Sequence, residues 1–412
     1  MKKNTLFTRP LSFLQKKKGK IALNLTKDIK SIGNEYYRAL GQSFRTLQIL
    51  AFVALFLFTT IFVLYNSDSI TYENLYYFVK DFRTAVDNTD ESGTAVVYET
   101  DRNMTFASYK GGLAVAGSER LQLYTATGYL NSSASLSFLS PRLQASTSRL
   151  LIYDCGGTGC QIYNSFTKIH SQVEEGNIRY AFLSESGEYL TVTDNEEYSS
   201  SVQIYNKRFR KVNRFLLNSY VVSAKINANG SHAAVLSYVC ENGIYETRLI
   251  LTKVGAKEPT LEHAIANEFP LGIAYLSSDS VLLLTDTALY HVTVKGSVTK
   301  MHEFTDGTVE KFSFTDTHLA LLFRKTSELS LIVFDNSGKM VYNTDVDDDT
   351  HTLGGYRNYF YCQTTSTLLR FNAENGKQTR VSCVGEGVLL ALSDHRVLLC
   401  ANGEAKYFRF GS

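Results

Sequence analysis

The chain has 412 residues and a formal charge of only +2, with 42 Lys and Arg set against 40 Asp and Glu. That charge is unevenly spread: eleven bases and two acids (Asp28, Glu35) precede residue 47, a head of +9 that leaves −7 for the remainder. The dense basic block of the head, Lys16-Lys17-Lys18-Gly19-Lys20, is short and lacks interleaved base-stacking aromatics, which excludes a nucleic-acid partner.

Residues 1–46 read as a basic cytoplasmic tail. Its bases either touch anionic lipid head groups, at about 1 kcal/mol each near the surface, or serve only to set orientation. Next comes an uncharged stretch of twenty-two residues between Arg45 and Asp68. Its core, Leu47 to Tyr65 (LQILAFVALFLFTTIFVLY), spans roughly the 30 Å hydrocarbon core of a bilayer at about 1.5 Å per residue. A transmembrane helix over 47–65 follows, with membrane lipid as its partner. The excess of Lys and Arg before it puts the N-terminus in the cytoplasm and the C-terminal bulk outside, as a single-pass signal anchor in the cell membrane. A cleaved signal peptide fits less well, because the head is long and LYNSDS offers no small-x-small site. A buried core helix fits poorly with a run that is apolar on every side.

Residues 66–93 form a stem and linker. Tyr72, Leu75, Tyr76, Val79, Phe82 and Val86 recur at helical steps after Ser69 or Thr71, and NTDESG (88–93) breaks the pattern. From residue 94 the period changes. Short β-rich runs alternate with Gly, Asn, Asp and Ser turns every 8–12 residues, an all-β pattern that continues to residue 412.

A unit of about 35–40 residues repeats through this region. Its third strand ends on an aromatic, as in Leu121-Gln122-Leu123-Tyr124, Val202-Gln203-Ile204-Tyr205 and Leu331-Ile332-Val333-Phe334, and a polar turn such as TATG, NKRF or DNSG follows. Four strands fit in each unit, and a four-stranded sheet cannot cover both its faces alone. Sheets packed face to face about an axis cover one another, which is a β-propeller. Units at 104–137, 138–172, 178–216, 221–268, 270–304, 309–346 and 350–384 leave a three-strand remainder at 385–410. Thr94-Ala95-Val96-Val97-Tyr98 can complete that remainder and close the ring. The expectation is eight blades, with seven as the alternative if 138–172 or 221–268 is not a full blade. A pair of β-sandwiches would lack this period, and a β-helix would have shorter, more uniform rungs. Trp is absent, so 26 Tyr and 25 Phe supply the aromatic packing and Trp-bearing propeller signatures are excluded.

YYFVKDFRTA (Tyr76–Ala85) and Tyr109-Lys110-Gly111-Gly112-Leu113-Ala114-Val115-Ala116-Gly117 resemble segments of a family of uncharacterised bacterial membrane-anchored proteins. The resemblance covers nearly the full length. It implies a basic tail, one membrane helix, a short stem and a propeller-like ectodomain, and it brings no catalytic residues with it.

Six cysteines all follow the apolar run, which suits a compartment where thiols oxidise. Cys155 and Cys160 bracket Gly-Gly-Thr-Gly and are expected to form a local disulfide or remain thiols. A metal site would need further Cys or His close by. Asp345, Asp347 and Asp349, with Asp348, make an acidic loop of the kind that attracts Ca²⁺, but Thr350 and Tyr356 stand where an EF-type loop needs Gly and a carboxylate. A solvated turn is the simpler reading. Eight scattered His show no HExxH, and no Gly-x-Ser-x-Gly occurs. The segment Lys207-Arg208-Phe209-Arg210-Lys211 reads as a charged outer edge strand that discourages sheet-to-sheet aggregation, or as a docking strip for an anionic surface. No cofactor and no catalytic constellation is indicated. The expected function is an extracytoplasmic binding or scaffolding module for an envelope protein or cell-wall partner. An envelope enzyme with a site in the propeller channel, or a sensor signalling through the stem, is the alternative.

Overall fold

Asn34 starts the long helix by accepting a hydrogen bond from the Tyr36 amide at its Oδ1 (3.0 Å) and from the Arg38 amide at its carbonyl (3.0 Å). The helix, Glu35–Tyr65, is 31 residues long and begins twelve residues before the apolar run, because nothing in EYYRALGQSFRT breaks it. The structure, a computed structural model, describes residues 33–65 and 95–411. The chain divides into two compact units, Met1–Asn88 and Thr89–Ser412. The basic block at 16–20, the stem at 66–93 and Thr94 lie outside the described residues. Within the helix, Phe52, Leu55, Phe56, Phe58 and Ile61 are all exposed. The Thr59 and Thr60 hydroxyls donate to the carbonyls of Leu55 (2.7 Å) and Phe56 (2.8 Å), so these polar groups are satisfied within the helix. Among the described residues this is the one helix long and apolar enough to cross a membrane.

The second unit is built from eight four-stranded antiparallel sheets. They occupy 105–135, 141–173, 178–217, 220–266, 270–303, 308–345, 352–382 and 388–409, here blades 1 to 8, and Val96–Val97 supplies the fourth strand of blade 8. Strands are lettered a to d from the axis outward. The irregular units at 138–172 and 221–268 are both full blades, so the ring has eight. Paired sandwiches and a β-helix are excluded by the packing. Each of eight apolar clusters joins two neighbouring blades, from blade 1 with 2 (Tyr109, Leu123, Phe138, Ile152) round to blade 8 with 1 (Leu398, Cys400, Leu113, Val115).

Burial explains the strand compositions. Strands b and c lie between two neighbouring sheets and are covered on both faces: Gly112–Ala116, Leu150–Asp154 and Tyr189–Thr193 are buried at every residue. The rim strands alternate instead, as in Gln378–Ser382. Closure runs through Val96, which pairs with Ala405, and through Tyr98, whose hydroxyl donates to the Ala401 and Glu404 carbonyls.

Antiparallel order places the a–b and c–d turns at one end of the ring and the b–c turns with the blade-to-blade connectors at the other. Contacts between blades agree. Arg149 (a–b turn, blade 2) donates to the carbonyls of Gly187 (a–b turn, blade 3) at 3.1 Å and Lys207 (c–d turn, blade 3) at 3.2 Å. At the opposite end the Glu174 amide in a connector meets the Thr158 carbonyl in a b–c turn at 2.9 Å.

Candidate functional site

The two ends of the ring differ sharply in charge. The b–c turns and connectors carry Glu99, Asp101, Glu119, Glu174, Glu175, Asp194, Glu196, Glu197, Glu268, Asp286, Asp306, Asp347, Asp348, Asp349 and Glu386, against the lone base Arg102. The a–b and c–d turns carry Lys110, Arg149, Lys207, Arg208, Arg210, Lys257, Lys295, Lys339, Arg357 and Lys377, against Glu185, Glu188, Glu258, Asp279, Asp316, Glu374 and Asp394. The acidity of the loops is therefore gathered at one end, and the turns of the other end are basic on balance.

Some of the carboxylates have structural duties. Arg179 donates to Asp194 (2.8 Å), Arg214 to Glu175 (3.0 Å), and Arg324 to Glu310 and to Asp348 (3.1 Å). Glu174 and Glu268 are buried latches between blades. The Glu174 carboxyl accepts from Thr191 (3.0 Å), Tyr205 (3.0 Å) and Gln172 (3.2 Å). Glu268 accepts from Thr285 (2.6 Å) and Tyr290 (2.6 Å). In both, the carboxyl lies seventeen residues before its Thr and reaches into the following blade. Burial, reinforced by the neighbouring carboxyl, pushes the Tyr205 and Tyr290 hydroxyls up, so both stay protonated as donors. Glu196, Glu197, Asp306, Asp347 and Glu386 are exposed and form no ion pair among the described residues.

Blade 4 adds an apolar element to this acidic end. Its strands b and c, His232–Glu241 and Ile244–Lys253, have ten residues each, whereas the others have at most eight. Asn242 (φ 53°) and Gly243 (φ 80°) make the two-residue turn, a pair of positive φ values that Asn-Gly accommodates. Around the hairpin Tyr238 packs on Phe269 (5.1 Å), Tyr245 on Phe269 (5.2 Å) and Tyr220 on Tyr238 (5.8 Å). A shallow cavity of about 460 Å³ lies where the chain passes from blade 8 to blade 1, lined by Glu99, Asp101, Arg102, Glu119, Arg120 and Asn402. Several of its charges are already engaged: Arg120 pairs with Glu99, and Asp101 accepts from the Glu119 amide at 2.7 Å.

The residues singled out by sequence do not all come together. Asp345, Asp348 and Asp349 turn to different partners. Ser330 donates to Asp345 (3.3 Å), Arg324 pairs with Asp348, and Thr365 donates its hydroxyl (2.6 Å) and amide (3.0 Å) to Asp349, holding that carboxyl below its usual range. Asp347 is exposed beside them. Among the described residues no three His, Cys, Asp or Glu side chains group as metal ligands.

Cys155 and Cys160 are both free thiols, the second of the two states the sequence allows. Cys160 sits in a strand opposite Tyr153, in register, while Cys155 falls past the strand end and directs its Sγ to the Arg179 carbonyl (3.7 Å). Lys207, Arg208 and Arg210 lie in the c–d turn of blade 3, not on an edge strand, and the rim strand begins at Lys211. Asn206 Oδ1 accepts the Arg208 and Arg210 amides at 3.0 Å each, and Phe209 (φ 63°) turns inward to stack on His170 at 4.3 Å. The alternation that reads as a strand is a turn with its aromatic folded under.

Maleimide should therefore label Cys240 first, since it is the exposed cysteine, and reach Cys160, Cys362 and Cys400 only after denaturation. Burial pushes the Cys362 and Cys400 thiols up to about 12 and raises Cys160 as well. Mass spectrometry without reductant should find one fast adduct on the native protein and six on the denatured chain. Only four adducts after denaturation would restore a disulfide.

A family model whose description is a family of unknown function matches residues 87–390. No curated protein matches the chain. Among solved structures, the WD40 domain of SCAP from fission yeast is similar at 11% identity and TM-score 0.53, covering 77% of this chain and 94% of that one. A eukaryotic initiation factor is similar at 13% identity and TM-score 0.52, covering 76% and 85%. Both likenesses are of fold.

Proposed function

From the premise that the chain belongs to this family, DUF5711, we propose that it is a membrane-anchored binding or scaffolding module, not an enzyme, whose acidic propeller end takes a cationic protein partner. The observation that carries this is the separation of charge between the two ends of the ring. A stiff frame of eight sheets holds the turns and connectors in place, and their exposed residues are free for recognition. The exposed carboxylates of this face that form no ion pair among the described residues, Glu196, Glu197, Asp306, Asp347 and Glu386, raise the local concentration of a positively charged partner and steer its approach. The helix Glu35–Tyr65 has the length and composition of the anchor. The Lys207–Arg210 turn belongs to the opposite, basic end, where an anionic surface would be the complementary ligand.

Photo-crosslinkers at Glu197 and Asp306 on the acidic end, and at Lys295 and Lys377 on the basic end, test this in the full chain held in its own membrane. The acidic-end positions should capture a protein of high isoelectric point, and capture should fade as salt shortens the Debye length from about 8 Å toward 3 Å. Equal capture from both ends, or capture only of acidic proteins, would overturn the reading.

A further inference from the structure

We infer that the blade 4 hairpin is the anchoring point of this acidic face, a platform for an arginine-bearing, partly apolar segment of the partner. The inference rests on the acidic-end reading and adds where, and by what chemistry, the partner is held. Tyr220 is 59% exposed and Tyr245 42%, two large rings in solvent on the hairpin face that also carries Tyr238, while Ile244, 56% exposed, lies with Glu241 on the opposite face at the turn. They are not loose: Tyr238 and Phe269 pack against Tyr245, at 6.0 and 5.2 Å, and hold its ring in place. The hairpin is longer than those of the other blades, so its tip adds nothing to the inter-blade core. Preordered tyrosines over a rigid base are what a binding hot spot supplies.

The surroundings specify the occupant. Glu241 lies at the turn on the other face of the hairpin, and the neighbouring turns and connectors carry carboxylates, Glu196 and Glu197 among them, with scarcely a base. A guanidinium satisfies both parts of such a surface. Its flat face stacks on tyrosine and its edge donates to carboxylate, while an ammonium offers only a compact, strongly hydrated charge. The ring of Tyr220, on the same face as Tyr245, provides contact for an aliphatic side chain next to it in the bound segment.

The full chain in detergent micelles is titrated with two octapeptides of equal charge, one alternating Arg and Leu, the other alternating Lys and Ser. The Arg/Leu peptide should bind about tenfold more tightly, as stacking and apolar contact add to charge attraction. Tyr220→Ser with Tyr245→Ser should erase that ratio and leave Lys/Ser binding unchanged, while Tyr245→Phe should retain it. Neutralising Glu196→Gln, Glu197→Gln, Asp306→Asn and Asp347→Asn together should weaken both peptides alike. If both peptides bind the unaltered chain equally well, or the hairpin variant leaves the ratio intact, the anchor is refuted and the acidic-end reading survives. If neither peptide binds, the acidic-end reading falls and the anchor falls with it.

Discussion

Val96→Asp is expected to unfasten the ring, lowering the stability of the propeller by at least about 3 kcal/mol. Val96 is 1% exposed and sits in the cluster that joins blade 8 to blade 1, among Tyr98, Leu113, Val115, Leu398 and Ala405. A carboxylate there loses its water in an apolar setting, a penalty of several kcal/mol on top of the lost methyl contacts. The consequence is more than local. The strand is only Val96–Val97, yet it makes a four-stranded sheet of the C-terminal three, and the Tyr98 hydroxyl is fixed to blade 8 beside it. Val97 is 73% exposed and pairs with Glu404, so Val97→Thr is the matched control and should change stability by less than about 0.5 kcal/mol. Urea midpoints of the two variants against the unaltered chain decide the matter, with limited proteolysis near residue 95 as a second readout. Equal midpoints for Val96→Asp and Val97→Thr would mean that the ring closes by some other contact.

The blades are legible in the sequence because strands b and c must be apolar on both faces. Runs such as Val281-Leu282-Leu283-Leu284 and Leu319-Ala320-Leu321-Leu322 stand out between polar turns, and the aromatic that ends strand c recurs at Tyr124, Tyr163 and Tyr205. Ring closure is legible too, since three strands at the C-terminus need a fourth and Val96–Val97 lies unclaimed. The charged end is not. Its carboxylates come one to three per segment, spread from Glu99 to Glu386, and only stacking the b–c turns on the connectors gathers them. The single dense acidic run, 345–349, reads as a solvated turn with a cation loop as the alternative, and Asp345, Asp348 and Asp349 within it are tied to Ser330, Arg324 and Thr365. The hairpin of blade 4 is hidden for another reason. Tyr238, Tyr245 and Phe269 lie in three different segments, and nothing in their local pattern shows that two long strands bring them together.

Raising the pH above 10 should destabilise this propeller more steeply than any single substitution does. In a chain without Trp, tyrosine carries much of the aromatic packing, and Tyr98, Tyr189, Tyr205 and Tyr361 are four of the five tyrosine rings among the described residues that are at most 4% exposed. Burial pushes all four hydroxyls far above the ordinary phenol value of 10.0. Each hydroxyl also donates to a fixed oxygen: Tyr98 to the Glu404 carbonyl (3.1 Å), Tyr189 to Gln172 (3.2 Å), Tyr205 to Glu174 (3.0 Å) and Tyr361 to the Ser393 carbonyl (3.2 Å). A phenolate has no proton to give and would turn these contacts repulsive. The folded state therefore holds the protons that the unfolded chain releases near pH 10. For a group raised in this way the stabilisation is complete below the unfolded value and is lost as pH climbs through 10 toward the folded one. Each tyrosine removes up to about 1.4 kcal/mol per pH unit, so four together remove on the order of 5 kcal/mol, a large part of the roughly 5–15 kcal/mol typical of a domain. Urea midpoints should be level from pH 8 to 9.5 and drop sharply by pH 11, and the phenolate absorbance of these four should appear only as the chain unfolds. Tyr361→Phe should make the drop shallower, since one proton fewer is then linked to folding. A midpoint at pH 11 equal to that at pH 9, or full phenolate absorbance in the still-folded protein, would show that these hydroxyls are open to solvent and that the packing between blades is looser than the burial of their rings implies.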